Sequence, residues 1–326
     1  MDHIILLKIS LSLPILFVAI YKYFVIAEKF NIIDKPNHRS SHKHITIRGG
    51  GIIFFIGAIL YTLFFGLTLP YFISGLILIS VISFVDDVWT LSSKVRIVVH
   101  FIAMMLMFYD CGFYSIPWYY LVIALIVSTG IINAYNFMDG INGITGGYSL
   151  MVMGSFWWIN NHIHQFIDNN FLYVIGISLL VFNLFNFRKR ARCFAGDVGA
   201  VSIAFIIVFL LGKLMVETGN QTFIIILMVY GVDSILTIIH RLILKENIFQ
   251  AHRKHLYQIM SNELKIPHTT VSLTYMAVQG VIMVGYFVFM NLYPSASQWI
   301  YFLAVATVLA GVYMWFMKKN FKLHQG

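Results

Sequence analysis

The chain has 326 residues, 60% of them hydrophobic and 11% charged, with a mean hydropathy of +0.83 and a formal net charge of +9. That balance excludes a soluble globular enzyme and describes an integral membrane protein, with no hydrophilic basic domain long enough to bind nucleic acid. Two cysteines, Cys111 and Cys193, predict neither a disulfide framework nor a cysteine metal site.

In chain order, apolar windows fall near residues 4–26, 49–66, 70–85, 95–109, 117–134, 147–160, 170–187, 199–216, 221–243, 269–290 and 297–317. Spanning a bilayer takes about 17–25 such residues. The windows predict an all-α, polytopic integral membrane protein of about eleven transmembrane helices, a single domain over residues 1–326. The first window lacks a small-residue cleavage site and has Lys22 and Lys29 at its end, so it reads as a retained helix.

Of 22 Lys and Arg, all but Lys8 and Lys213 lie in or beside segments 22–48, 94–96, 188–192, 241–265 and 318–322. The intervening loops near 67–69, 110–116, 161–169, 217–220 and 291–296 carry none. The positive-inside rule then puts the loaded face in the cytoplasm, with a periplasmic N-terminus and a cytoplasmic C-terminus. Most of the net charge is topology, and the rest suits an anionic substrate or anionic lipid headgroups.

The polar segments all fall on that one face, where ionisable groups are costly to keep and signal function. The first, DKPNHRSSHKHITIRGGG (34–51), brings Arg39 and Arg48 among lysines and histidines, ahead of Gly49–Gly51, a composition suited to polyanions. Asp86–Asp87 closes the third window. Adjacent carboxylates repel, so the pair is either a polar helix stop or a magnesium ligand beside a reacting phosphate. Asn133, Asn136 and Asp139 recur every third residue, one face of a helix leaving the membrane. Gly140, Gly143, Gly146 and Gly147 follow, serving either as turn chemistry or as close-approach backbone for phosphate oxygens.

Asn183 and Asn186 lie one turn apart and suit either substrate binding or hydrogen bonding between helices. Asp197 in FAGDVG is either a helix cap or, beside the other acids, a metal ligand. Asp233 stands alone in an apolar stretch, where a structural partnership with a buried amide or cation is one reading. His252 and His255 enclose Arg253 and Lys254. Histidines exchange protons near neutrality and the cations suit a diphosphate, although a generic basic surface loop has the same composition.

Together these motifs resemble the polyprenyl-phosphate N-acetylhexosamine-1-phosphate transferase superfamily, in order over residues 34–258. The resemblance implies the eleven-helix layout, magnesium (or manganese in its place), undecaprenyl phosphate and a UDP-amino sugar as substrates, and dimers among relatives. It implies that Asp86 and Asp87 serve magnesium and the lipid phosphate, and that Asn133, Asn136 and Asp139 hold the nucleotide and catalytic centre. Asp197 would then ligate magnesium, and His252 and His255 would hold the diphosphate. Asn142 stands where the commoner motif has a second acid, which removes that position from the metal set. The segment HRKHLYQ is closer to the O-antigen-initiating branch than to the three-histidine run of the phospho-MurNAc-pentapeptide translocase.

The expected function is therefore transfer of a sugar-1-phosphate from a UDP-sugar to undecaprenyl phosphate, releasing UMP at the cytoplasmic face of a bacterial inner membrane. Asp86, Asp87, Asp139, His252 and His255 are the expected catalytic set, with Asp87 the candidate for handling the lipid phosphate. Arg39, Arg48, Asn133, Asn136, Asn183 and Arg253 are expected to bind substrate, and Asp197, Asp86 and Asp87 to bind metal. The alternatives are a secondary transporter or lipid flippase, which places polar groups at mid-membrane on repeated, broken helices, and a membrane scaffold indifferent to loss of the aspartates.

Overall fold

The computed structural model describes residues 3–34, 45–89, 91–247 and 253–320, so Arg39 and His252 lie outside the described residues. Among the described residues the regular structure is helical apart from a two-residue ladder. Helix α1 (His3–Lys29) is followed by β1 (Ile33–Asp34) and β2 (Thr46–Ile47), then α2 (Ile52–Phe65), α3 (Pro70–Val88), α4 (Ser93–Cys111) and α5 (Trp118–Met138). Next come α6 (Ile144–His162), α7 (Asn169–Asn186), α8 (Gly196–Thr218), a 3₁₀ segment (Gln221–Leu227) continuing as α9 (Met228–Ile243), the short α10 (Leu256–Gln258), α11 (His268–Leu292) and α12 (Gln298–Lys319).

Each long helix overlaps one apolar window of the sequence. Among the described residues, eight segments are long and apolar enough to cross a bilayer: α1, α3, α5, α7, α8, the 3₁₀–α9 unit, α11 and α12. The others differ for visible reasons. Helix α2 has 14 residues, roughly 21 Å at the α-helical rise. Lys94, Arg96, His100 and Asp110 interrupt α4, and Asn160, Asn161 and His162 end α6.

Helix α8 is apolar all round and forms the centre, 83% of its window buried against 11% for α12 at the rim. It packs on α3, where the Ser80 and Ser202 hydroxyls hydrogen-bond at 2.8 Å inside the apolar layer. The N-terminus of α8 crosses that of α2 without room for side chains: a Cβ built on Gly199 would stand 2.6 Å from the Gly51 Cα. This contact brings the segment before α2 directly over the start of α8.

The 3₁₀-to-α change in the ninth span leaves backbone groups without helical partners, which in an apolar layer must be satisfied from outside. Gln279 of α11, fully buried, does so: its Nε2 donates to the Ile225 carbonyl (2.9 Å) and its Oε1 accepts from the Val229 N–H (3.1 Å) and the Tyr148 hydroxyl (2.8 Å). The Tyr148 and Tyr230 rings stack at 3.7 Å over the same break. Gln279→Leu therefore strands two backbone groups, and a loss of about 1–3 kcal/mol is expected. Thermal melting of the detergent-solubilised protein checks this, and an unchanged melting temperature would remove Gln279 from that role.

Candidate active site

Four carboxylates and two guanidiniums converge at one end of the bundle, from the last turn of α3, the C-terminus of α5, the first turn of α8, the segment before α2 and the start of α4. Arg48 is carried on a small framework. The ladder pairs Ile33 with Ile47 and Asp34 with Thr46, Ile47 bridges to Cys193, and Gly50 and Gly51 donate to the Phe194 and Ala195 carbonyls at 2.8 and 3.1 Å. The Tyr23 hydroxyl donates to the Arg48 carbonyl at 2.5 Å. So fixed, the guanidinium reaches Asp87 Oδ1 at 2.6 Å and Asp197 Oδ1 at 3.4 Å.

Asp87 is saturated. Besides Arg48 it accepts the N–H groups of Asp197 on Oδ1 (3.0 Å) and Val198 on Oδ2 (2.9 Å), so a carboxylate from α3 caps α8. Gly196, at φ +71°, makes the turn that points those amides at it; a Cβ there would stand 2.7 Å from Asp87 Oδ2. Asp197 thus occupies the first turn of α8 as a half-buried side chain while its neighbour in space does the capping.

Asp86 faces elsewhere, since adjacent helical residues diverge by about 100°. It accepts from the Leu91 N–H (2.8 Å) and from Arg96 Nη1 (2.6 Å), and its carboxyl also approaches that of Asp197. Arg96, a site residue absent from the sequence reading, lies ten residues downstream in the next helix, with no motif to mark it.

Asp139 terminates α5 beside Thr145. Burial, and then the charges of Asp197 and Asp87, push its carboxyl up to about 7. Arg48 stays charged: burial opposes its charge, but Asp87 and Asp197 outweigh that and raise its pKa. The neighbouring Cys193 thiol is pushed by burial up to about 12 and is inert.

The histidine loop docks under the Asp139 corner, where the Tyr257 hydroxyl donates to the Phe137 carbonyl at 2.8 Å. His255 itself is buried, its Nδ1 3.4 Å from Asp233 Oδ1. Asp233 also accepts from the Leu256 N–H (3.0 Å), the Tyr275 hydroxyl (2.7 Å) and the Thr237 hydroxyl (3.1 Å), so it is the structural anchor of this loop. Glu246 pairs with Arg241 at 3.1 Å and with Lys254 on the same loop. Arg253 is half-buried beside them.

The asparagines divide. Asn133 is exposed and Asn136 half-buried on the last turns of α5, without a side-chain hydrogen bond among the described residues. Asn183 faces α6, with its Oδ1 against Gly146 and its Nδ2 on the Leu179 carbonyl. Asn186, buried, is the latch: its Oδ1 accepts from the Gly143 N–H at 2.8 Å and its Nδ2 donates to the Cys193 carbonyl at 2.9 Å. Asn142, in the turn before α6, ties the same loop by donating to the Arg188 carbonyl at 2.9 Å.

Among the described residues, no three His, Cys, Asp or Glu side chains stand together as a ready metal-binding group. The donor chemistry nevertheless suits a hard divalent cation: Asp87 and Asp197 share the Arg48 guanidinium, Asp86 pairs with Arg96, and Asp139 has no ion pair among the described residues.

The glycosyl transferase family 4 profile matches residues 69–215, which hold Asp86, Asp87, Asp139 and Asp197. The chain is 26% identical over 253 residues to the "Probable undecaprenyl-phosphate N-acetylglucosaminyl 1-phosphate transferase" of Bacillus subtilis, covering 71% of this chain and 70% of that protein. It is 26% identical over 260 residues to the undecaprenyl-phosphate alpha-N-acetylglucosaminyl 1-phosphate transferase of Yersinia pestis, covering 72% and 71%. The phospho-N-acetylmuramoyl-pentapeptide-transferase of Thermotoga maritima is 26% identical over 239 residues, covering 66% and 76%.

The glycine crossing that aligns the site is testable. Gly199→Ala places a methyl 2.6 Å from the Gly51 Cα and 2.9 Å from the Ala195 Cβ, and overpacking of this kind costs about 1–3 kcal/mol. The expected outcome is a lower melting temperature in detergent, whereas Gly154→Ala, where a Cβ meets nothing within 4 Å, should melt like the wild type.

Proposed function

Because the chain belongs to the superfamily of polyprenyl-phosphate sugar-1-phosphate transferases, we propose that it moves a sugar-1-phosphate, most simply that of an N-acetylated amino sugar, from a UDP-sugar to undecaprenyl phosphate, releasing UMP. The observation that carries this reading is the convergence of Asp86, Asp87, Asp139 and Asp197 with Arg48 at one end of a lipid-exposed bundle. A nucleotide sugar from the cytoplasm and a phosphate on a lipid tail meet at such a boundary. The ninth span is broken, as in transporters, but its freed backbone groups are taken by Gln279 and its break is filled by stacked tyrosines. That arrangement favours the enzyme over a carrier.

In this reading Asp197 and Asp86 would hold the magnesium ion, which when bound offsets charge on the diphosphate and the leaving UMP. Asp87 accepts three donors already, so its work is to hold α8 and Arg48 in register. Arg48 and Arg96 lie beside the carboxylates as the cations that receive phosphate oxygens. Asp139, with a carboxyl near 7, is matched to take a proton from the lipid phosphate as its oxygen attacks the sugar-bound phosphorus. His255, buried on Asp233, positions the loop that carries Arg253.

The test is release of UMP by the purified full-length protein, given magnesium, undecaprenyl phosphate and a panel of UDP-amino sugars. At least one donor should be turned over, and Asp197→Asn or Arg48→Gln should lower the rate about 10²-fold or more. Silence across the panel with folded protein, or full turnover by Asp197→Asn, would sink the proposal.

The pH dependence follows from Asp139. Below about 7 its carboxyl is protonated and cannot accept a proton; above, it is ionised. The rate should therefore climb as pH rises through about 7, and Asp139→Asn should show a low rate without that limb. A wild-type profile flat from pH 6 to 8 would remove Asp139 from the proton-accepting role.

A further inference from the structure

We propose that the seam between α1 and α7 holds an anionic glycerophospholipid, its phosphodiester bound by Arg188 and Arg192. Both side chains are exposed, and each lies over an aromatic ring. The Arg192 guanidinium carbon is 4.6 Å from the Phe24 ring centroid and 5.2 Å from that of Tyr21, and that of Arg188 is 5.8 Å from Phe185. The rings form one cluster, Phe185 standing 5.1 Å from Phe24 and 5.4 Å from Tyr21, so the two arginines share a single aromatic shelf.

Neither arginine has a carboxylate partner among the described residues, and Glu28, one turn beyond Phe24 on α1, pairs with neither. This sets them apart from Arg48, Arg96 and Arg241, each of which is neutralised by an acid. Stacking on a ring leaves the guanidinium edge, with its fork of donors, pointing away from the shelf and available to a phosphate.

The loop that presents them is fixed in advance. Asn142 holds the Arg188 carbonyl (2.9 Å), the Arg192 N–H donates to the Phe185 carbonyl (2.8 Å), and Asn186 holds the Cys193 carbonyl (2.9 Å). A preformed pair of cations loses little on binding an anion. Below the shelf the seam is apolar and open, with Phe17 of α1 37% exposed and Leu180 and Leu184 of α7 50% and 51% exposed. A headgroup anion at the arginines and acyl chains along Phe17, Leu180 and Leu184 is the chemistry of a phospholipid at a bilayer boundary.

Native mass spectrometry of the purified full-length protein, released from mixed detergent with phosphatidylglycerol or phosphatidylcholine, tests this, with melting temperature as the second readout. The wild type should retain phosphatidylglycerol in preference to phosphatidylcholine and melt higher with it. R188Q/R192Q should lose both effects while folding without added lipid. If that variant is too unstable to purify, R192K, which keeps the charge and removes the flat stack, should retain phosphatidylglycerol several-fold less well. Equal retention by the glutamine or lysine variant, equal protection by phosphatidylcholine, or displacement of phosphatidylglycerol from these arginines by undecaprenyl phosphate would each overturn the proposal.

Discussion

Asp87 is buried at the end of a membrane helix, where an ionised carboxylate is tolerated only if its surroundings replace the water it has lost. Here they do so through the Arg48 guanidinium at 2.6 Å and two amide N–H groups from the first turn of α8. Helix N-termini stabilise an anion by roughly 0.3–1 kcal/mol, up to ~2 when partly buried. The placement of the other site residues depends on this contact. It fixes α3 against α8, draws in the segment before α2 through Arg48, and leaves Asp197 and Asp86 side by side. The glycine crossing of Gly51 and Gly199 belongs to the same constraint, because only backbones in contact bring Arg48 within reach of both acids.

Much of this was readable in the sequence at the level of segments. Polar breaks between apolar windows located every long helix, and the gathering of acids at one level follows from which breaks hold them. Roles within a segment were not readable. Asp86 and Asp87 are adjacent in sequence, and only the packing of α3 against α4 and α8 decides that one meets Arg96 and the other caps α8. The FAGDVG segment suggested Asp197 as a cap, yet the cap comes from 110 positions upstream. Asn183 and Asn186 have identical local credentials, and a single turn of α7 makes one face α6 and the other latch the loop.

His255 illustrates the same limit from the other side. Two histidines enclosing two cations suggest proton exchange, and the structure adds that His255 is buried on Asp233, whose carboxylate Tyr275 and Thr237 share. The two partners are 22 residues apart with the loop between them, so no spacing rule pairs them. An acid isolated in an apolar window was a sound signal of importance. What it could not convey was that the importance lies in anchoring the loop on which Arg253 is carried.

The balance of charge connects these parts. In a low-dielectric boundary layer neighbouring acids repel one another unless something offsets them, and the chain places arginine beside three of the four site carboxylates. Arg48 meets Asp87 and Asp197, Arg96 meets Asp86, and Arg241 meets Glu246 beneath the histidine loop. Arginine suits the task because its planar fork engages two acceptors at once and stays ionised when half-buried. The same property makes it a ready receiver of phosphate oxygens once a substrate competes with the carboxylates. Under the proposed function, the arginines that pair with the site carboxylates are also the ones that receive phosphate, and substrate binding becomes an exchange of anionic partners around those cations.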